Sequence, residues 1–467
     1  MQKGTESEHK LRLTFVTGVS TVTGANFLLE TVPKKGEDVV RILIDCGLEQ
    51  GALNANERNH LDFSYDPSTI NYLLVTHAHT DHIGRIPRLV GAGFKGKIFS
   101  TAETKALVPL MFEDALKLFV HDEERTNLPP LYTAHDVEET MKLWHEIPYH
   151  QITELHGGFQ VYPKDAGHIL GSAMYEITYR GKKIVFTGDL GNSPTPLLND
   201  TEDITDATYM VMESVYGDRN HESTADRLDK LEDVIEDSYK KGGALVIPSF
   251  SLEKTQVLLY EINKLVEEDR IPATPVFLDS PLATKITAVY QRFKKDFKAE
   301  VQERIKGGDD IFNFPGLRII ETVEESKGLL QVPNPKIIIA GSGMSNGGRV
   351  VHHEINYLPD PKSTLLLVGY QSLGTLGRHI QNGDKQVNIL GQQVPVRARI
   401  AYIDGYSSHK DADHLLEFVA KSADTLKYVF PVMGEPKTSL FLAQRIQDYL
   451  GVKAIHPREG ESILLDF

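Results

Sequence analysis

Thr76–His82 reads "THAHTDH" and follows the apolar run "NYLLV", residues 71–75. Four potential metal ligands, His77, His79, Asp81 and His82, therefore crowd together directly after a predicted strand. Imidazole nitrogen and carboxylate oxygen suit zinc and related divalent ions. Residues two apart in an extended segment project to the same side, so His77 and His79 can converge on one ion. Asp81 and His82 lie where the chain turns and can face a second ion. A solvated polar loop is the bland alternative, and the placement of all four groups against a buried strand speaks against it.

Partners for such a centre should stand at other strand ends. "DAGHILGSA" (165–173) sets His168 before a Gly-Ser turn, and "KIVFTGDLG" (183–191) sets Asp189 just past an apolar strand. "RILIDCG" (41–47) places Asp45 likewise. Each is weak alone, and together in this order they are strong.

The first part of the chain reads as short strands separated by glycine-containing turns. A helix is predicted at about 103–120 from Leu107, Leu110, Met111, Ala115 and Leu118, with a loop and a short helix over 121–150. From about residue 224 the pattern changes. "TADRLDKLEDVIEDSYKKGG" (224–243) is an amphipathic helix ending in glycines. It is followed by wholly apolar strands such as "ALVIPSF" (244–250), "PKIIIAGSG" (335–343) and "STLLLVGYQ" (363–371), alternating with helices. That alternation predicts a parallel α/β sheet with helices on both faces, inserted into the first domain without a flexible linker.

The 467 residues suffice for two or three domains. Apolar content of 40% and charged content of 25% are ordinary for a globular protein. No apolar run is long enough for a membrane helix, and "MQKGTESEHKLRL" lacks the apolar stretch of a secretory signal. One cysteine, Cys46, permits no intrachain disulfide, so a cytoplasmic location is expected. The net charge of −15 argues against broad electrostatic binding of nucleic acid. It leaves room for a cleft made positive by metal ions.

With these residues in this order, the sequence resembles the metallo-β-lactamase superfamily. Its second half, with "MVMESVYGDR" (210–219), "LDSPLA" (278–283), "AGSGMSNGGR" (340–349) and "DGYSSHKDADHL" (404–415), is similar to the β-CASP nucleases. The likeness runs over nearly the whole chain and is nearest to the compact bacterial form. It implies an αββα sandwich over 1–212 and 405–467, with a β-CASP α/β domain inserted at 213–404. It also implies two zinc ions, with manganese as an alternative. His77, His79 and His168 would bind the first, Asp81 and His82 the second, and Asp189 would bridge them. Asp45 would orient a ligand or the bridging water. Glu213 and His409 would be catalytic with Asp81, His409 protonating the leaving oxygen. The expected products carry a 5′-phosphate and a 3′-hydroxyl.

One position departs from the family pattern. "VFPVMGEP" (429–436) places Met433 where a histidine usually completes the second zinc site, and a thioether is a poor zinc ligand beside nitrogen and oxygen donors. The second site is therefore expected to be weaker than the first. Ser342, Gly343, Met344, Gly347 and Gly348, with Arg349 behind them, read as a phosphate nest at a helix start. Lys254, Arg378 and His379 are further candidates for backbone contacts. Single-stranded RNA is the expected partner, no membrane is, and a homodimer stays open. Three alternatives remain: a single-stranded DNA nuclease of the same family, a small-molecule metallo-hydrolase, and a weakly active RNA-binding subunit.

Overall fold

A computed structural model describes residues 9–467 except 35, 37, 52, 53, 127, 222–225 and 373, with the backbone alone over 120–126. The chain separates into two compact units. The first is Met1–Ser193, Asp200–Asn220 and His409–Phe467, and the second is Pro194–Asn199 and His221–Ser408. The joins thus fall at 220/221 and 408/409, where the sequence reading put them at 212/213 and 404/405. Glu213 stays in the first unit because Tyr209–Glu213 pairs in parallel with both Lys182–Phe186 and Tyr428–Val432. Beyond it, Tyr216 bridges to Asp411 and holds the following residues as well.

The first unit contains a seven-stranded and a six-stranded sheet. Alternation along the strands gives each sheet two faces. Phe186, Val211 and Phe430 of one sheet meet Phe15, Phe27, Ile44 and Leu74 of the other in a shared core. Val185, Met210, Met212 and Val429 point the opposite way, into a second core with Leu415, Phe418, Leu442 and Ile446. Those last four lie on helices Ala412–Ala420 and Pro436–Leu450. On the outer side of the seven-stranded sheet, helix Ala102–Thr126 lies against strand Trp144–Glu146 and helix Ala134–Lys142. The layers therefore run helix, sheet, sheet, helix. Helix Ala102–Thr126 continues six residues past the predicted end, through "HDEERT". Glu and Arg sustain a helix without leaving an apolar stripe to signal it.

The second unit is built on a six-stranded sheet that is parallel throughout. Val246, Ile338, Leu365 and Leu367 pack on one face with Val350, Val351 and Leu358. Ala244–Pro248 and Lys336–Ala340 are central neighbours; the connection from the first crosses the second to reach Val276–Asp279, and that from the second crosses the first to reach Thr364–Val368. Both connections leave from the carboxyl ends of the strands. The glycine-rich segment 341–349 leaves Lys336–Ala340 at that end. Among the described residues no helix is long and apolar enough to cross a membrane.

Candidate metal centre

Parallel pairing delivers the polar residues to one edge. Arg41–Ile44 and Tyr72–Leu74 are parallel neighbours, so Asp45 and the 76–82 segment leave their sheet together. In the facing sheet, the parallel strands Lys182–Phe186, Tyr209–Glu213 and Tyr428–Val432 end at or just before Asp189, Glu213 and Met433. His168 lies in the turn between Phe159–Asp165 and Ala173–Tyr179, and His409 bridges to Gly191. Two glycines make this convergence feasible. A Cβ on Gly47 would stand 1.6 Å from the Asp81 carbonyl oxygen, and one on Gly191 would stand 1.9 Å from that of Gly167.

Three imidazoles and a carboxylate meet there. His79 Nδ1 lies 3.0 Å from His77 Nε2 and 3.2 Å from His168 Nε2. Asp189 Oδ2 is 3.5 Å from the Nε2 atoms of both His77 and His168. Ligand atoms bonded to one tetrahedral ion at about 2.0–2.1 Å stand roughly 3.3–3.4 Å apart, so the spacing fits a single divalent ion. The chemistry agrees, because neighbouring lone pairs have little reason to face one another in a buried site unless something positive lies between. His77, His79, His168 and Asp189 form a group able to hold a metal.

The adjacent half-site is arranged differently. His82 Nε2 lies 3.3 Å from Asp189 Oδ1 and 4.0 Å from Asp81 Oδ2. His82 Nε2 and Asp189 Oδ1 are both buried without an aligned hydrogen-bond partner. Behind them, Asp45 Oδ2 stands 2.7 Å from His82 Nδ1 and accepts from Thr76 Oγ1 at 2.8 Å, while its Oδ1 accepts from Thr76 N at 2.8 Å. Thr76 Oγ1 is also 3.0 Å from His77 Nδ1. Its own proton is given to Asp45, so it accepts from His77, and the His77 Nε2 lone pair points into the centre. Sequence reasoning passed over Thr76; its signal was a hydroxyl residue immediately before the first histidine.

Electrostatics follow from this crowding. Burial and the neighbouring charge on His82 hold His77 well below the usual imidazole range. Burial works against charge on His82 too, yet Asp189 and Asp45 hold it well above that range. Burial, with the Asp189 charge adding to it, pushes Asp81 up to about 6 against the pull of His82. Met433 is 2% exposed, has φ of +49°, and donates its N–H to Gly18 O at 2.8 Å. Its side chain packs in the core between the sheets, the sulfur resting where a Gly18 side chain would otherwise sit.

Beside the centre, His409 Nδ1 lies 3.1 and 3.2 Å from the two carboxylate oxygens of Glu213 and 4.0 Å from Asp189 Oδ2. Glu213 Oε1 also accepts from Leu190 N at 2.5 Å. Burial raises the Glu213 carboxyl, and His409 opposes that rise. The imidazole is thus held through Nδ1.

The cations expected to contact phosphate have partners within the protein. Arg349 Nη1 binds Asp279 Oδ1 at 2.5 Å and Ile320 O at 3.1 Å, and Nη2 binds Glu321 O at 2.8 Å. Lys254 is buried, its Nζ donating to Tyr406 O and to Ser408 Oγ. Arg378 reaches Gln371 O, and His379 Nδ1 meets Asp384 at 3.0 Å. In the loop itself the carbonyls of Gly341, Ser342, Gly343 and Met344 accept from Val350 N, Ser345 N, Gln371 Nε2 and Gly377 N. Gly348, at φ of +69°, would clash with Gly341 O at 2.5 Å if it carried a Cβ. Gly347 lies beside it in the same turn.

Comparison with known proteins agrees with this architecture. A metallo-beta-lactamase superfamily domain matches residues 36–216, a Beta-Casp domain matches 255–380, and a Zn-dependent metallo-hydrolase RNA specificity domain matches 393–457. Ribonuclease TTHA0252 of Thermus thermophilus is 37% identical over 379 residues, covering 81% of this chain and 85% of that one. Transcription termination factor FttA of Methanosarcina mazei is 30% identical over 469 residues, covering 96% of this chain and 71% of that one. The RNase J-like protein of Methanocaldococcus jannaschii is 29% identical over 426 residues, covering 90% and 93%. A solved structure from Enterococcus faecalis V583, a protein of unknown function, shares the fold, with a TM-score of 0.56 at 14% identity over 98% of this chain and 100% of that one. The chain belongs to the β-CASP family of the metallo-β-lactamase superfamily, hydrolytic nucleases with a divalent-metal centre.

Proposed function

We propose that this protein is a metal-dependent ribonuclease that hydrolyses RNA phosphodiester bonds and leaves a 5′-phosphate and a 3′-hydroxyl. The observation that carries the reading is the convergence of His77, His79, His168 and Asp189 at ligand-to-ligand distances. These four would hold the first ion. Asp81 and His82 would hold a second together with Asp189, and zinc suits this donor set, with manganese as the alternative. When bound, such ions supply Lewis acidity toward phosphoryl oxygens and bring the ionisation of water near neutral pH.

The protein's own groups do the rest. Asp45 and Thr76 fix the tautomers of His82 and His77, so their Nε2 atoms serve as donors. Glu213 would orient His409 through Nδ1, and His409 would deliver a proton to the departing 3′-oxygen as the P–O3′ bond breaks. The engaged carbonyls of the 341–344 segment favour an orientation in which its amides meet substrate phosphate. Phosphate recognition in this reading rests mainly on those backbone amides. RNA is favoured over DNA by the names of the ribonuclease relatives and by the RNA-specificity domain that matches 393–457. A cytoplasmic location accords with Cys46, which is free and buried.

End-labelled RNA and single-stranded DNA of one sequence, cleaved by metal-loaded protein, test this reading. RNA is expected to be cut in preference, with a 5′-phosphate on the downstream product. The His409→Ala variant should lose roughly 10²–10⁴-fold in rate with metal content unchanged. Loss of metal from that variant would make His409 a ligand and sink its role as proton donor.

A further inference from the structure

The four residues that run directly into His409, 405–408, are gripped by buried polar side chains of the second unit. Arg227 Nη1 donates to Gly405 O at 3.0 Å, and its guanidinium lies 5.0 Å from the centre of the Tyr406 ring. The same guanidinium binds Glu261 Oε1 through Nε and Nη2 at 2.9 and 2.6 Å. Glu261 Oε2 in turn accepts from the Tyr406 hydroxyl. Lys254 closes the set, its Nζ donating to Tyr406 O and, at 3.0 Å, to Ser408 Oγ. Arg227, Lys254, Glu261 and Tyr406 are each less than a tenth exposed. Gly369 lies against the lysine stem, where a Cβ would come within 3.2 Å of Lys254 Cε.

A buried ammonium is costly, and it is ordinarily retained beside a carboxylate. Here Glu253 and Asp404 supply carboxylate charge nearby, and Lys254 makes its hydrogen bonds to a backbone carbonyl and a hydroxyl of one short segment. Both anchors lie within three residues of the imidazole that the proposed reaction needs. We infer that Lys254, backed by Arg227 and Glu261, is a positioning residue for His409. It fixes residues 406 and 408 and so sets the backbone from which the imidazole extends toward Glu213. The inference rests on the reading of His409 as the proton donor. It gives this lysine a task other than the phosphate contact its sequence position implied.

The test is a double-mutant cycle on the full chain, read by cleavage of end-labelled RNA at saturating substrate. Lys254→Met keeps the aliphatic stem and is expected to slow turnover roughly 10–100-fold, the loss that a misplacement of about 1 Å brings. KM and bound metal should stay near wild type, and Lys254→Arg should restore part of the rate. Lys254→Met combined with His409→Ala should be no slower than His409→Ala alone. Ser408→Ala, a milder change, should cost a few-fold and be absorbed by His409→Ala in the same way. Should Lys254→Met fail to fold, the Ser408→Ala cycle decides. Losses that multiply with His409→Ala, or a wild-type rate in both single variants, would overturn the inference. A wild-type rate in His409→Ala itself would instead overturn the reading on which it rests.

Discussion

Each unit buries a cluster of ionisable groups, and the two clusters are wired in opposite ways. In the second unit charge meets complement: Arg227 faces Glu261, and Asp279 receives Arg349, His353 and Ser326. In the first unit histidines meet Asp189 and Asp45, but like also meets like. Nitrogen faces nitrogen at 3.0 and 3.2 Å among His77, His79 and His168, and His82 Nε2 and Asp189 Oδ1 stand close without alignment. A closed network satisfies itself and stabilises a fold. An open one is complete only with a further partner, and that contrast separates a structural cluster from a ligand site.

Substitutions that exchange the two kinds of behaviour would break the comparison. The largest effect is expected at His79, whose Nδ1 contacts two other donors. His79→Ala should reduce RNA cleavage to background, by on the order of 10³-fold or more as for other residues that act as a unit. The rise in melting temperature on adding zinc should vanish with it, since an ion that binds only the folded state stabilises it. Arg227→Met should do the reverse. It leaves Glu261 buried and unpaired and should cost about 3–5 kcal/mol of stability in denaturant titration, with metal binding retained.

Asp45→Asn comes next, because Asp45 touches the centre only through His82 and Thr76. Metal affinity, read by competition with a chelator, should fall about 10–100-fold. The smallest effect concerns Glu354 in the second unit, a buried carboxyl that hydrogen-bonds Ser345 and that burial pushes up to about 8 from an ordinary 4.5. The folded chain then keeps a proton that the unfolded chain releases. Stability from this group is full below about pH 4.5 and falls as pH rises toward about 8. Glu354→Gln should flatten that part of the stability curve, measured by denaturant midpoint against pH.

The candidate metal donors were legible in the sequence because ligand residue types cluster at the ends of apolar strands, and strand ends are where a sheet delivers its side chains. Glu213 and His409, nearly two hundred residues apart, were found only through resemblance; no local pattern ties a strand-end glutamate to a histidine before a distant helix. The partners of the cations were not legible for a physical reason. Composition records that Lys254 and Arg349 are charged, whereas their direction depends on Tyr406 and Asp279, which the fold brings to them from far along the chain. Thr76 was overlooked because a hydroxyl's role depends on which neighbour takes its proton.

The central claim is that the like-with-like cluster is completed by a divalent ion and then hydrolyses RNA. It is tested most directly by stripping the protein with a chelator, confirming by elemental analysis that it is metal-free, and following cleavage of end-labelled RNA as zinc or manganese is restored. The account predicts no cleavage by the stripped protein and recovery that tracks occupancy of the His77, His79, His168 and Asp189 site. Undiminished cleavage by metal-free protein, or none by fully loaded protein, would contradict it.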